Sequence, residues 1–143
     1  MGLDTSHDCW HGPYGAFGRW RQKLAEVAGL PPLDLMEGFF ERGTYHDPIS
    51  DVARKHSEFA ETFYRSLPIR WTILKPDVLH ILLNHSDCEG ELESAICGSL
   101  ANRLEELLPL LPQKDDNDWR GRTRQFIDGL RLAASQGENV DFH

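Results

Sequence analysis

The sequence predicts a mainly α-helical fold of the α+β class: one compact domain over residues 1–143, with about five helices and a few short strands. Apolar residues recur at steps of three and four along most of the chain, which is the period of a helix with one buried face. The length of 143 residues suits a single domain, and 40% hydrophobic with 27% charged residues is a globular composition.

Three helical segments are predicted in the first half of the chain. The first covers residues 15–28 and ends at Gly29, which can adopt the left-handed conformation of a helix stop. A short turn over 34–43 has Asp34 as its cap, and a longer helix over 47–67 begins with an Asp–Pro pair that is typical of a helix start. The stripe of the first helix is formed by Phe17, Trp20, Leu24 and Val27.

The middle of the chain is harder to assign, and we predict strands there. Residues 70–74 are rich in the aromatic and β-branched types that strands favour. Residues 78–83 fit either a buried strand or a short helix capped by Asp77, because periodicity does not distinguish the two in so short a run. Of these two alternatives we favour the strand.

Two helices and an edge strand are predicted in the last third of the chain. A leucine-rich stripe over 92–108 predicts the first helix, which Pro109 ends. Asp118 can cap the second helix and Gly137 ends it. Residues 139–142 alternate between polar and apolar types, as an edge strand does.

Charge and hydropathy exclude several classes of protein. Fifteen Lys and Arg residues against 23 Asp and Glu residues give a net charge of −8, which disfavours general binding to nucleic acids. No apolar run reaches the roughly 18 residues of a membrane span, and the first ten residues lack the pattern of a signal peptide. Three widely spaced cysteines do not form a disulfide framework. We therefore expect a cytoplasmic protein with reduced thiols.

The segment over residues 6–15 is the first candidate binding loop. It combines imidazole, carboxylate and thiol groups, which zinc accepts, and it leads into a helix N-terminus, which favours anions. The guanidinium of Arg19, a little further along, suits phosphate or carboxylate. A simpler interpretation is that the aromatic residues only hold the loop to the core. The candidate ligand-binding residues in the loop are His7, Asp8, Trp10, His11 and Tyr14.

The second candidate loop covers residues 84–92. Its middle resembles an EF-hand calcium loop, but that register puts His85 at the first ligand position and Ile96 at the twelfth, where a carboxylate is needed. An EF-hand is therefore not expected. Another metal site through His85, Asp87 and Glu89 stays open, as does a simple tight turn before a helix.

The two loops concentrate His, Asp and Cys side chains, which are costly to bury without partners. We predict that the loops share one pocket, with His85 or Asp87 hydrogen-bonded to residues 7–11 and with Trp10 as a wall. A metal-dependent hydrolase is one use of such a pocket. The sequence has no HExxH, GxSxG, P-loop or GxGxxG motif, so metal and cofactor stay unassigned and a non-enzymatic role is favoured.

Arginines are concentrated in the predicted last helix. Arg120 and Arg124 lie one helical turn apart and can form an anion-binding surface together with Arg19 or Arg21. The simpler alternative is that they pair with the acidic residues of the preceding helix, in surface ion pairs that are each worth little.

Three motifs are similar to those of a family of small proteins from bacteria and bacteriophages. They are His7-Asp8-Cys9-Trp10-x-Gly12-x-Tyr14, Asn84-His85-Ser86-Asp87-Cys88-Glu89-Gly90-Glu91 and Phe126-Ile127-x-Gly129-Leu130-x-x-Ala133. The family has no established activity, so the resemblance assigns no catalytic residue. It implies a bacteriophage accessory or host-interaction protein.

Taken with the missing enzyme motifs, these features predict a non-enzymatic binding protein. It would hold a small anionic, nucleotide-like ligand or block a partner protein. A metal-dependent hydrolase that uses the two loops is one alternative. A structural or assembly component, whose exposed helix faces would form a homo-oligomer, is the other.

Overall fold

The computed structural model describes residues 2–39 and 69–143, and this part of the chain is mainly helical with two small two-stranded sheets, as predicted. The helix expected over 47–67 lies outside the described residues. The helices and strands, in chain order, are β1 (Gly2–Asp4), β2 (His11–Pro13), α1 (Tyr14–Val27), α2 (Leu79–Leu83), β3 (Glu91–Leu92), α3 (Ser94–Leu107), α4 (Trp119–Gln136) and β4 (Val140–Asp141).

The core forms where the buried faces of α1, α3 and α4 meet. Trp20 of α1 packs its ring against Phe126 of α4, with ring centroids 4.9 Å apart. Its indole N–H donates to Thr123 Oγ1 at 2.9 Å, so this buried polar group is satisfied inside the helix contact. The apolar stripes predicted for these helices supply the buried side chains, which include Phe17, Leu24, Leu100, Leu104 and Leu130.

Two antiparallel ladders join the chain termini to the helices. In the first, β1 pairs with β2, and Asp4 lies opposite His11. In the second, β3 pairs with β4, and Leu92 lies opposite Val140. The predicted C-terminal strand is therefore confirmed. The N-terminal hairpin was not predicted, because strands of three residues are too short to show an alternating pattern.

The strands predicted in the middle of the chain are wrong. Residues Trp71–Ile73 form a 3-10 turn, although Ile69 just before them makes an isolated bridge to Met36. Residues Leu79–Leu83 form α2. The buried leucines of α2 recur at helical steps while Ile81 is 45% exposed, a pattern that a strand buried on both faces would not show.

The helix-end signals predicted at Gly29, Asp118 and Gly137 are confirmed, whereas Asp34 is not a cap, because it lies inside the 3-10 turn Leu33–Leu35 that follows Pro32. Gly29 and Gly137 both adopt positive φ angles, 75° and 65°, just after α1 and α4. The Asp118 side chain accepts the backbone N–H of Gly121 at 3.3 Å and so caps α4. Asp77 accepts the N–H of Leu79 at 2.9 Å at the start of α2. Among the described residues, none of these helices is long and apolar enough to cross a membrane.

Candidate functional site

The loop between β1 and β2 lies directly against α4. A Cβ atom on Gly129 would stand 2.7 Å from the carbonyl oxygen of His7 and closer still to Cys9 Sγ. Gln125 Nε2 donates to the Asp8 carbonyl at 3.0 Å. His7 and Asp8 adopt φ angles of 60° and 56°, a conformation that non-glycine residues rarely take. The loop is therefore a packed part of the fold, and a glycine in α4 makes room for it.

The two histidines of this loop are held by carboxylates. His7 Nε2 lies 3.1 Å from Glu138 Oε1, beyond the end of α4. His11 Nδ1 lies 2.7 Å from Asp4 Oδ1, and its Nε2 contacts Asp8 Oδ1. The hydrogen bond to Asp4, followed by that to Asp8, raises the pKa of His11 above its usual value. Both ring nitrogens can donate only in the imidazolium form, whereas a metal needs a neutral ring.

The aromatic residues of the loop belong to the core. We expected Trp10 to line a cleft, but it is 2% exposed. Its ring centroid lies 5.2 Å from those of Phe17 and Trp20. The Arg122 guanidinium covers the ring at 4.8 Å from its centroid. Tyr14, the first residue of α1, is half-buried and packs against the same core. The simpler interpretation of these aromatic residues, that they hold the loop to the core, describes their packing.

The second loop folds around the ring of His85. The two ring nitrogens face the carbonyl oxygens of Ser86 and Glu91, at 2.8 and 3.0 Å. The ring also packs on Phe142, with centroids 4.2 Å apart. Gly90 turns the chain at a φ angle of 91°, and a Cβ there would stand 3.3 Å from the imidazole. His85 thus organises its own loop.

Strand β4 and the residue after it form hydrogen bonds with both loops. The Asp141 N–H donates to Ser6 Oγ at 2.8 Å on one side, and the Phe142 N–H donates to the Gly90 carbonyl at 2.9 Å on the other. We expected a hydrogen bond from His85 or Asp87 to residues 7–11; the ring of His85 instead bonds within its own loop, to Ser86 and Glu91. The two loops are therefore joined through the C-terminal strand.

The predicted metal-ligating residues do not converge. Asp87 is buried and Glu89 is exposed. Within residues 2–39 and 69–143, no group of three or more His, Cys, Asp and Glu side chains is placed to hold a metal ion. Burial raises the pKa of the Cys9 thiol to about 12, so this thiol stays protonated and is a poor nucleophile. Cys97 is fully buried beside the leucine stripe of α3.

Arg21 donates hydrogen bonds to the carbonyl groups at the C-terminus of α2. It is 3% exposed and stacks on Phe17, with the guanidinium carbon 4.5 Å from the ring centroid. Its Nη1 donates to the carbonyl oxygens of Leu82 and His85 at 3.3 and 2.5 Å. These carbonyls lie at the C-terminus of α2, where a helix has no internal donors for them. Arg21 therefore does not join the predicted anion-binding surface.

The arginines of α4 also have partners within the fold. Arg120 Nε donates to the Leu111 carbonyl at 2.9 Å and so holds the segment before the helix. Arg124 and Arg131 both contact the Glu105 carboxylate on α3, at 3.0 and 2.8 Å. The hydrogen bond from Arg124 is the main cause that lowers the pKa of Glu105. Surface pairing with α3, the simpler alternative, accounts for Arg124.

Arg19 is placed differently from the other predicted arginines. It is exposed and makes no hydrogen bond or ion pair with another described residue. It stands beside a groove of about 380 Å³ between α1 and the start of α4. The groove is lined by Arg19, Gln22, Lys23, Glu26, Leu30, Pro32 and Trp119.

Of these lining residues, sequence reasoning found only Arg19. Positions 19, 22, 23 and 26 follow helical spacing and could have been grouped as one exposed stripe of α1. The opposite wall, Trp119, comes from α4 and is placed by the buried contact between Trp20 and Thr123. No sequence pattern predicts that contact, because the two residues are far apart along the chain.

The chain matches no family model, no curated protein and no solved structure.

Proposed function

We propose that this protein is a non-enzymatic binding protein that holds a small organic anion in the groove beside α1. The single observation that carries the proposal is the Arg19 guanidinium, which faces the groove without an ion-pair partner in the described chain. A guanidinium binds carboxylate, sulfonate or phosphate groups through paired N–H donors.

The electrostatic setting supports a small ligand over a large one. The whole chain carries a net charge of −8, so its long-range field repels anions. Attraction must come from cations close to the ligand, and Arg19 supplies one within the groove, beside Lys23, whose charge is shared with Glu26 at 3.1 Å. Two or three such contacts are enough for one small anion. They are too few for a polymer such as nucleic acid.

The shape and chemistry of the groove support binding over catalysis. A volume of about 380 Å³ falls within the range of small-ligand sites. The described lining residues include the apolar Trp119, Leu30 and Pro32 and contain no His, Cys, Ser or Thr. The two lining residues of types that can act as nucleophiles, Lys23 and Glu26, are ion-paired with each other at 3.1 Å. A ligand-binding protein of this size would suit the bacteriophage accessory or host-interaction role that the resemblance of the three motifs implies.

Binding measurements with one charge-removing variant and a matched control test the proposal. Native mass spectrometry of the purified protein should show a co-purified ligand, and calorimetry against small carboxylates, sulfonates and nucleotides should find at least one that binds. Arg19→Gln should weaken that binding by roughly tenfold, the value of a charged hydrogen bond.

The control is Arg70→Gln, which removes the same charge from an exposed arginine outside the groove lining. It should leave the affinity unchanged. An apo protein that binds none of these anions would refute the proposal. So would equal losses in the two variants, because the attraction would then be a general effect of charge.

A further inference from the structure

We propose that the ligand is a monoanionic amphiphile, with its charged group at Arg19 and its apolar body lying toward Leu30 and Pro32. This inference rests on the proposed function and names the chemical class of the anion. The observation behind it is the order of the lining residues along the chain: Arg19, Lys23 and Glu26 follow one another on α1, and the apolar Leu30 and Pro32 come after the helix ends.

The cationic residues of the groove, Arg19 and Lys23, lie in the middle of α1. Arg19, Lys23 and Glu26 follow each other at helical steps, so they form one row along the helix. At a rise of about 1.5 Å per residue, the row from Arg19 to Glu26 extends about 10 Å. An anionic group at Arg19 therefore places the rest of an extended ligand beside Glu26 and the residues after it.

The ion pairing within this row limits the ligand to one charged group. Lys23 Nζ lies 3.1 Å from Glu26 Oε2, so its charge is partly neutralised in the protein itself. Arg19 has no such partner in the described chain. A second anionic group further along the ligand would approach the Glu26 carboxylate and be repelled. Polyanions such as nucleoside triphosphates are therefore disfavoured.

The apolar end of the groove is built where α1 stops. Gly29 adopts a φ angle of 75°, and the Leu30 N–H donates back to the Ala25 carbonyl at 2.9 Å. This turn holds Leu30 beside the last turn of the helix, where it lines the groove. Pro32 follows it, and Trp119 forms the facing wall. A hydrocarbon or aromatic body fits this surface, and a strongly hydrated one does not.

A series of n-alkanesulfonates from ethyl to dodecyl, kept below their micelle-forming concentrations, tests the inference by calorimetry, because the chain must extend past the row of about 10 Å from Arg19 to Glu26 to reach Leu30. Affinity should rise by up to roughly fourfold per methylene group over the longer chains, which reach Leu30 and Pro32. Octan-1-ol, which has the chain without the charge, and ATP, which has several charges, should both bind at least tenfold more weakly than octanesulfonate.

Two variants separate the ends of the groove. Arg19→Gln should lower the affinity for octanesulfonate by roughly tenfold and leave that for octan-1-ol unchanged. Pro32→Ser, at an exposed position, should flatten the dependence on chain length while ethanesulfonate binding stays the same. Arg70→Gln is again the control for net charge.

The outcomes distinguish this inference from the proposed function. If the sulfonates bind without dependence on chain length, or if ATP binds most tightly, the protein binds anions but the inference that its ligand is an amphiphile is wrong. If octan-1-ol binds as well as octanesulfonate, the groove takes apolar chains and the charged head group is wrong. If no anion in the series or in the wider panel binds, both proposals fall.

Discussion

Replacing Gly129 with alanine should destabilise the fold because the added methyl group has no space. Gly129 is buried in α4 under the loop between β1 and β2. The new Cβ would stand 2.7 Å from the His7 carbonyl oxygen, and closer still to Cys9 Sγ. One of these neighbours is backbone, in a turn where His7 and Asp8 already have positive φ angles, so it cannot move aside cheaply.

The magnitude follows from two opposing effects. Overpacking a closely packed site costs about 1–3 kcal/mol, and the backbone contact puts Gly129 at the upper end. Alanine is about 1 kcal/mol better than glycine within a helix, which offsets part of that cost. We expect a net loss of about 2 kcal/mol in the free energy of unfolding. For a chain of this length this corresponds to a fall of roughly 7 °C in Tm.

Urea unfolding followed by tryptophan fluorescence, with thermal melts alongside, measures this loss. Gly98→Ala in α3 and Gly18→Ala in α1 are matched controls, since a Cβ at either position meets nothing within 4 Å. Both should stabilise the protein by about 0.5–1 kcal/mol through helix propensity alone. If Gly129→Ala is as stable as these controls, the loop does not rest on α4 and the reasoning is refuted.

Two further predictions concern buried and exposed charges. The ring of His11 should titrate above its ordinary pKa of 6.5 in an NMR experiment, and Asp4→Asn should lower that pKa more than Asp8→Asn does. Because the pKa of His11 is higher in the folded than in the unfolded protein, its stabilisation is complete below pH 6.5 and is lost as the pH rises through the folded-state pKa. A His11 pKa at or below 6.5 would contradict the two hydrogen bonds. Arg21→Met should cost about 3 kcal/mol in urea unfolding, because the carbonyl groups at the end of α2 lose a charged donor. A loss below about 0.5 kcal/mol would mean that water replaces the guanidinium there.

The sequence by itself determined the features that depend on residues close along the chain. The ends of α1 and α4 were predicted at Gly29, Asp118 and Gly137, since each acts on the backbone within a few residues. The stripes of α1, α3 and α4 followed from apolar spacing. The strand predicted over segment 78–83 was wrong because the helical pattern there is shorter than two turns, so alternation and helical spacing both fitted it.

Only the tertiary structure decided which of the polar residues are available to a ligand. Arg19, Arg21 and Arg124 have the same side chain, and the sequence analysis assigned all of them to one candidate surface. Packing puts Arg21 at the end of α2 and Arg124 on Glu105, and it leaves Arg19 at the groove. The partners are 19 to 64 residues away along the chain, and no local propensity reports contacts at that separation. Whether an arginine can bind a ligand is therefore decided by the tertiary structure. A guanidinium is available only where the fold places no carbonyl or carboxylate oxygen next to it.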